Sequence, residues 1–96
     1  MMTVYANKAI RATVHGQVQG VGFRYTTRRM AQESGVAGWV RNLPDGSVEV
    51  WAQGIGDAVD HIQRFLSHGP PGAAVSSLDV DEVDPDPGLT GFAVVV

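Results

Sequence analysis

Apolar and polar residues alternate over residues 9–15, with Ile10, Ala12 and Val14 on one side and Arg11, Thr13 and His15 on the other. A period of two is the mark of a strand with one buried face. From residue 23 to 34 the spacing predicts a helix, with Thr27, Met30, Ala31 and Ser34 on one stripe and Gly35 in the C′ position that ends it. Residues 36–43 and 47–53 read as a hairpin about Pro44-Asp45-Gly46, where Pro presets φ, Asp bonds its own backbone and Gly accepts a positive φ. Val48, Val50 and Ala52 point one way, and Glu49, Trp51 and Gln53 point the other. Ala58, Ile62, Phe65 and Leu66 recur at i, i+4, i+7 and i+8, a second helix with Asp57 near its start and Gly69-Pro70-Pro71 as its stop. Residues 75–83 form a fourth strand, and beyond the loop 84–88, Phe92, Val94 and Val96 suggest a short fifth.

The order is βαββαβ plus a terminal strand. Right-handed crossovers put both helices on one face of a mainly antiparallel sheet, the α+β, ferredoxin-like split βαβ arrangement. The other face is expected to stay largely solvent-facing, so Trp39 and Trp51, which alternate with polar neighbours, read as sheet-surface packing. Ninety-six residues make one domain, 1–96, with a core from about residue 9 to 96 and residues 1–8 as an N-terminal extension. No repeat, low-complexity tract or linker interrupts it.

The absence of cysteine excludes a disulfide scaffold, a thiolate metal site and a cysteine nucleophile. Residues 1–8 lack the apolar stretch of a signal peptide, and no apolar run approaches the ~18 residues of a membrane span, so a cytoplasmic protein without a membrane partner is expected, and one domain of this size is expected to be a monomer. A net charge of −3 argues against a nucleic-acid partner. The charge is uneven: residues 1–56 hold six basic and three acidic side chains, whereas residues 57–96 hold one and seven. Lys8, Arg11, Arg24, Arg28, Arg29 and Arg41 all lie in the first part, either to steer small anions or, for Arg11, Arg28, Arg29 and Arg41, as scattered surface charge.

The chemistry concentrates in His15-Gly16-Gln17-Val18-Gln19-Gly20-Val21-Gly22-Phe23-Arg24, a strand end, a loop with three glycines and a helix start. Free N–H groups at a helix N-terminus, approached over glycines, suit a phosphate-sized anion. Arg24 would cost roughly 0.3–1 kcal/mol in a helix's first turn unless an anion offsets it. The loop lacks the Lys and hydroxyl of a Walker motif, and Gly16-x-x-x-Gly20-x-Gly22 is not the dinucleotide spacing. It therefore reads as a phosphate cradle without nucleotide machinery.

Gln19-Gly20-Val21-Gly22-Phe23-Arg24 together with Gly38-Trp39-Val40-Arg41-Asn42, followed by Gly46, Val48 and Gly54, closely resembles the two signature segments of the acylphosphatase family. The resemblance runs from about Ala9 to the last strand. It implies hydrolysis of the carboxyl–phosphate anhydride of a small acyl phosphate to a carboxylate and inorganic phosphate, with no metal and no cofactor. On that resemblance Arg24 and the backbone N–H groups of Gln19, Gly20, Val21, Gly22 and Phe23 bind the phosphate. Asn42 positions the attacking water, because an amide is too poor a base to deprotonate it, and the substrate's own phosphate takes the proton.

Other candidates are weaker. His15 has the pKa range of a general base but sits at a strand end, where a structural or orienting role competes. His61 and His68 pair with nothing that would hold a metal. The acidic run Asp79-Val80-Asp81-Glu82-Val83-Asp84 alternates like a solvated strand edge and lacks the glycine of a calcium loop. Three rivals stand beside the enzyme: an RNA-binding sandwich, which this chain's acidic balance disfavours; a module of a larger maturation enzyme, disfavoured by the lack of Cys-rich fingers; and an anion sensor without turnover.

Overall fold

The computed structural model of the chain describes residues 6–96, so residues 1–5 of the expected extension lie outside it. Strand β1 (Lys8–Gln17) outruns the alternating segment at both ends. Its inner side supplies Ile10, Ala12 and Val14, each no more than 1% exposed. After His15 its register against β4 (Ala74–Val83) shifts, a β-bulge that pairs Gly16 with Val75. A Cβ on Gly16, whose φ is 124°, would stand 2.1 Å from the Ala74 carbonyl oxygen. Gly16 is thus a strand residue that lets β4 approach, not a third glycine of the loop.

Helix α1 (Phe23–Ser34) has the predicted bounds. It buries Phe23, Thr27 and Ala31, with Met30 packed at the margin. Its end follows from Gly35 in the left-handed region, which lets the Val36 N–H reach back to the Ala31 carbonyl at 2.8 Å. The hairpin joins β2 (Ala37–Asn42) to β3 (Val48–Gly54). Its turn is closed by the Leu43 N–H on the Ser47 carbonyl at 2.8 Å, and by the Asp45 carboxylate, which accepts from the Ser47 N–H at 2.9 Å and from the Ser47 hydroxyl. Those bonds, the hydroxyl first, hold the Asp45 carboxyl below its usual range. Helix α2 (Gly56–Leu66) turns Val59, Ile62, Phe65 and Leu66 inward, with Ala58 at the edge of the buried stripe.

The sheet order is β4-β1-β3-β2-β5, with β5 spanning Phe92–Val94. Every neighbouring pair is antiparallel except β2–β5, which is parallel. Both helices share one core with Val14, Val40, Val48 and Val50, and the Phe23 and Phe65 rings meet at 5.7 Å across it. This is the ferredoxin-like sandwich read from the element order. Val96 takes no part in the fifth strand: pairing stops at Val94, the Val95 N–H makes one last bond to Val40, and Val96 is fully exposed.

The outer face departs from expectation. Glu49 and Gln53 are only 5% and 4% exposed. Arg11 and Arg41 converge on Glu49 from the two flanking strands. The chain around Asp86 folds over Gln53, whose amide donates to the Asp86 carbonyl and accepts from the Asp86 N–H, each at 2.8 Å. Trp39 and Trp51 do stack as sheet-surface partners, with ring centroids 6.4 Å apart.

Candidate functional site

The loop between β1 and α1 is held at both ends by the core. Val18 is 1% exposed and Phe23 2% exposed. Between them Gly20 and Gly22 adopt φ near 76° and 78°, a conformation other residues enter only with strain. Gly22 caps α1 without a side chain to bond the first N–H groups, and no acidic residue lies in the first turn. The positive end of the helix therefore has no compensating charge of its own. Arg24 adds a cation there, its guanidinium 5.9 Å from the Tyr25 ring centroid and without an acidic partner among the described residues. The positive pole of the helix dipole and the Arg24 charge thus lie in the same first turn.

Asn42 is the last residue of β2, opposite Val48. Its Oδ1 is buried and has no hydrogen-bond partner. Buried polar atoms are paired in the great majority of cases, so an acceptor left open at a strand end has a use to be found. The loop and the hairpin come together through Gln19, whose side-chain Nε2 donates to the carbonyls of Leu43 and Ser47, both at 2.9 Å. The fold thus brings Gln19, at the start of the glycine loop, onto the turn that follows Asn42.

Two contributors escaped the reading of the sequence. One is the side chain of Gln19, which had been assigned only a backbone role. The other is Glu49, which holds Arg41, the neighbour of Asn42, by bonds of 2.7 Å from Nε and Nη2, and holds Arg11 by bonds of 2.8 and 2.6 Å. A signal for Glu49 existed, since the Pro-Asp-Gly turn puts Arg41 directly opposite it. With Glu49 bound to both, Arg11 and Arg41 form a local ion network rather than a free steering charge. His15 points to β4, its Nε2 3.1 Å from the Asp79 carboxylate. Among the described residues, no three His, Asp or Glu side chains gather in a metal-like cluster. A cavity of about 490 Å³ opens at the opposite end of α1, lined by Gln32, Val36, Gln53, Leu89 and Phe92. It carries no charged side chain to recognise an anion.

Fold and site define a small ferredoxin-like α+β protein with a glycine loop at an uncapped helix end. The acylphosphatase family model matches residues 10–94. An acylphosphatase of Rubrobacter xylanophilus is 46% identical over 94 residues, spanning 98% of this chain and 86% of that protein. The crystal structure of acylphosphatase from Bacillus subtilis superposes with a TM-score of 0.87 at 36% identity, covering 93% of this chain and 99% of the other. That of an acylphosphatase from Coxiella burnetii gives 0.86 at 40% identity, covering 92% of each. The chain belongs to the acylphosphatase family and is an enzyme that hydrolyses acyl phosphates. No helix among the described residues is long and apolar enough to cross a membrane.

Proposed function

We propose that the loop at the start of α1 and the end of β2 form the catalytic site, the loop holding the phosphate and the strand end the attacking water. The N–H groups of Gln19, Gly20, Val21, Gly22 and Phe23 surround the phosphoryl oxygens, and Arg24 lays its planar donor fork on two of them. Asn42 Oδ1 accepts a hydrogen bond from the attacking water and so aims its lone pair at phosphorus. As the O–P bond forms, the bond from phosphorus to the acyl oxygen breaks and the carboxylate leaves with its electron pair. The water's proton passes to a phosphoryl oxygen. An acyl phosphate has a good leaving group, so positioning and charge stabilisation suffice. The enzyme acts as a single-domain monomer in the cytoplasm on this reading, which the cysteine-free composition fits.

The observation that carries the assignment is the buried, unpartnered Oδ1 of Asn42. Asn42→Ala tests it by steady-state kinetics. Loss of one preorganised polar group should lower kcat by about 10²–10³ with KM little changed. A folded Asn42→Ala enzyme with full activity would overturn the role.

A further inference from the structure

Gln19 carries a side chain that the mechanism leaves unused. Its amide nitrogen has two protons, and it lies 2.9 Å from each of two carbonyls, Leu43 and Ser47. These residues are themselves joined by the bond that closes the β2–β3 turn. Leu43 follows Asn42 directly, so an anchor on its carbonyl restrains the chain at the residue that handles the water. Gln19 in turn precedes Gly20, within the stretch proposed to hold the phosphate. One amide therefore spans the two halves of the site.

The need for such a span is physical. The loop and Asn42 sit on different elements; α1 packs on β2 and Val21 rests against the core, but Gly20 and Gly22 carry no side chains to hold the loop to the Asn42 turn. Each half can bind its own group, phosphate or water, without the other. Reaction requires both at one separation, and a shift of ~1 Å in such an arrangement costs on the order of 10²-fold in rate. Gln19 is exposed, as its place in the loop dictates, and its two bonds add alignment rather than core packing.

We propose that Gln19 is a positioning residue, its side-chain amide tying the phosphate loop to the Asn42 turn at the separation the reaction needs. This rests on the mechanism proposed above. The role requires donors: Gln19→Met keeps the length and loses both protons, and Gln19→Glu aims a carboxylate at two carbonyl oxygens.

The test compares kcat, KM and the dissociation constant of inorganic phosphate for Gln19→Met and Gln19→Glu, and then places Gln19→Met in an Asn42→Ala background. Gln19→Met should lower kcat by about 10-fold or more, with KM and phosphate affinity within about threefold of the parent enzyme. Gln19→Glu should lower kcat further. In the Asn42→Ala background the methionine variant should cost less than about twofold, because a lost alignment cannot be lost twice. Gln19→Ala, which removes the same donors, repeats the comparison if methionine disturbs the fold. A folded variant with the parent kcat overturns the proposal, and so does a fall in kcat matched by an equal loss of phosphate affinity. An impaired Asn42→Ala enzyme in which Gln19→Met costs the same factor as in the parent overturns the Gln19 role alone. A fully active Asn42→Ala enzyme overturns the mechanism and this role with it.

Discussion

Glu49→Gln separates the part of the molecule that supports the site from the part that performs the reaction. The Glu49 side chain is 6% exposed and each of its oxygens accepts two bonds from one arginine, Arg11 on Oε2 and Arg41 on Oε1. Burial pushes its carboxyl up, but the bonds from the two guanidinium groups and their charge prevail, and its pKa lies below the ordinary value. Glutamine keeps the shape and removes the charge, so one arginine meets an NH₂ group in place of an acceptor. Breaking a fully buried pair costs 3–5 kcal/mol. Here Arg11 and Arg41 are 52% and 39% exposed and recover water, which lowers the cost to about 2 kcal/mol, the range of one charged hydrogen bond. For a domain of this size that is a melting temperature lower by about 8–16 °C. A carboxyl whose folded pKa is depressed contributes stability above its unfolded value and loses it as pH falls through the folded one. The gap between parent and variant should therefore be full at neutral pH and narrow below about pH 4.3. Thermal unfolding by circular dichroism from pH 7 to 3 reads both quantities, with activity at 25 °C retained. A gap that stays constant across that range, or one under about 3 °C at pH 7, refutes the reasoning.

Arg24→Lys keeps the charge but not the planar fork, and should remove most turnover in a folded protein; near-parental kcat would show that Arg24 is not the phosphate clamp. Inorganic phosphate at ten times its dissociation constant should stabilise the fold by about 1.4 kcal/mol, read as a rise in melting temperature over chloride of equal ionic strength. No rise would count against the loop as an anion site. Activity should survive EDTA, and its loss would end the metal-free mechanism. His15→Asn breaks a contact with Asp79 on the neighbouring strand β4 and should cost far less activity than Asn42→Ala; kinetics showing the reverse order would move the catalytic role to His15.

Local rules were enough wherever local chemistry decides the backbone. The helical spacing from residue 23 to 34 and the C-terminal Gly35 set the limits of α1, although of the stripe Thr27, Met30, Ala31 and Ser34 only Thr27 and Ala31 are buried, and Pro44-Asp45-Gly46 set the hairpin turn and with it the pairing of Arg41 with Glu49. The alternation in β1 and β3 chose the inner face correctly. Two short segments at the right spacing were sufficient to place the chain in its family, because a glycine loop before an arginine and an asparagine before a tight turn are both readable one residue at a time. Tertiary structure decided what depends on neighbours distant in the chain. Gly16 looks like a loop glycine until β4 is laid against it, since the clash that demands glycine comes from Ala74, 58 residues further on. Glu49 and Gln53 point outward as their period requires, yet they are buried, because Arg11, Arg41 and the chain around Asp86 close over them from other elements. The Gln19 amide has nothing nearby in sequence to bond. Its partners, Leu43 and Ser47, arrive only when the hairpin folds against the loop, and only then do the two halves of the site acquire a common geometry.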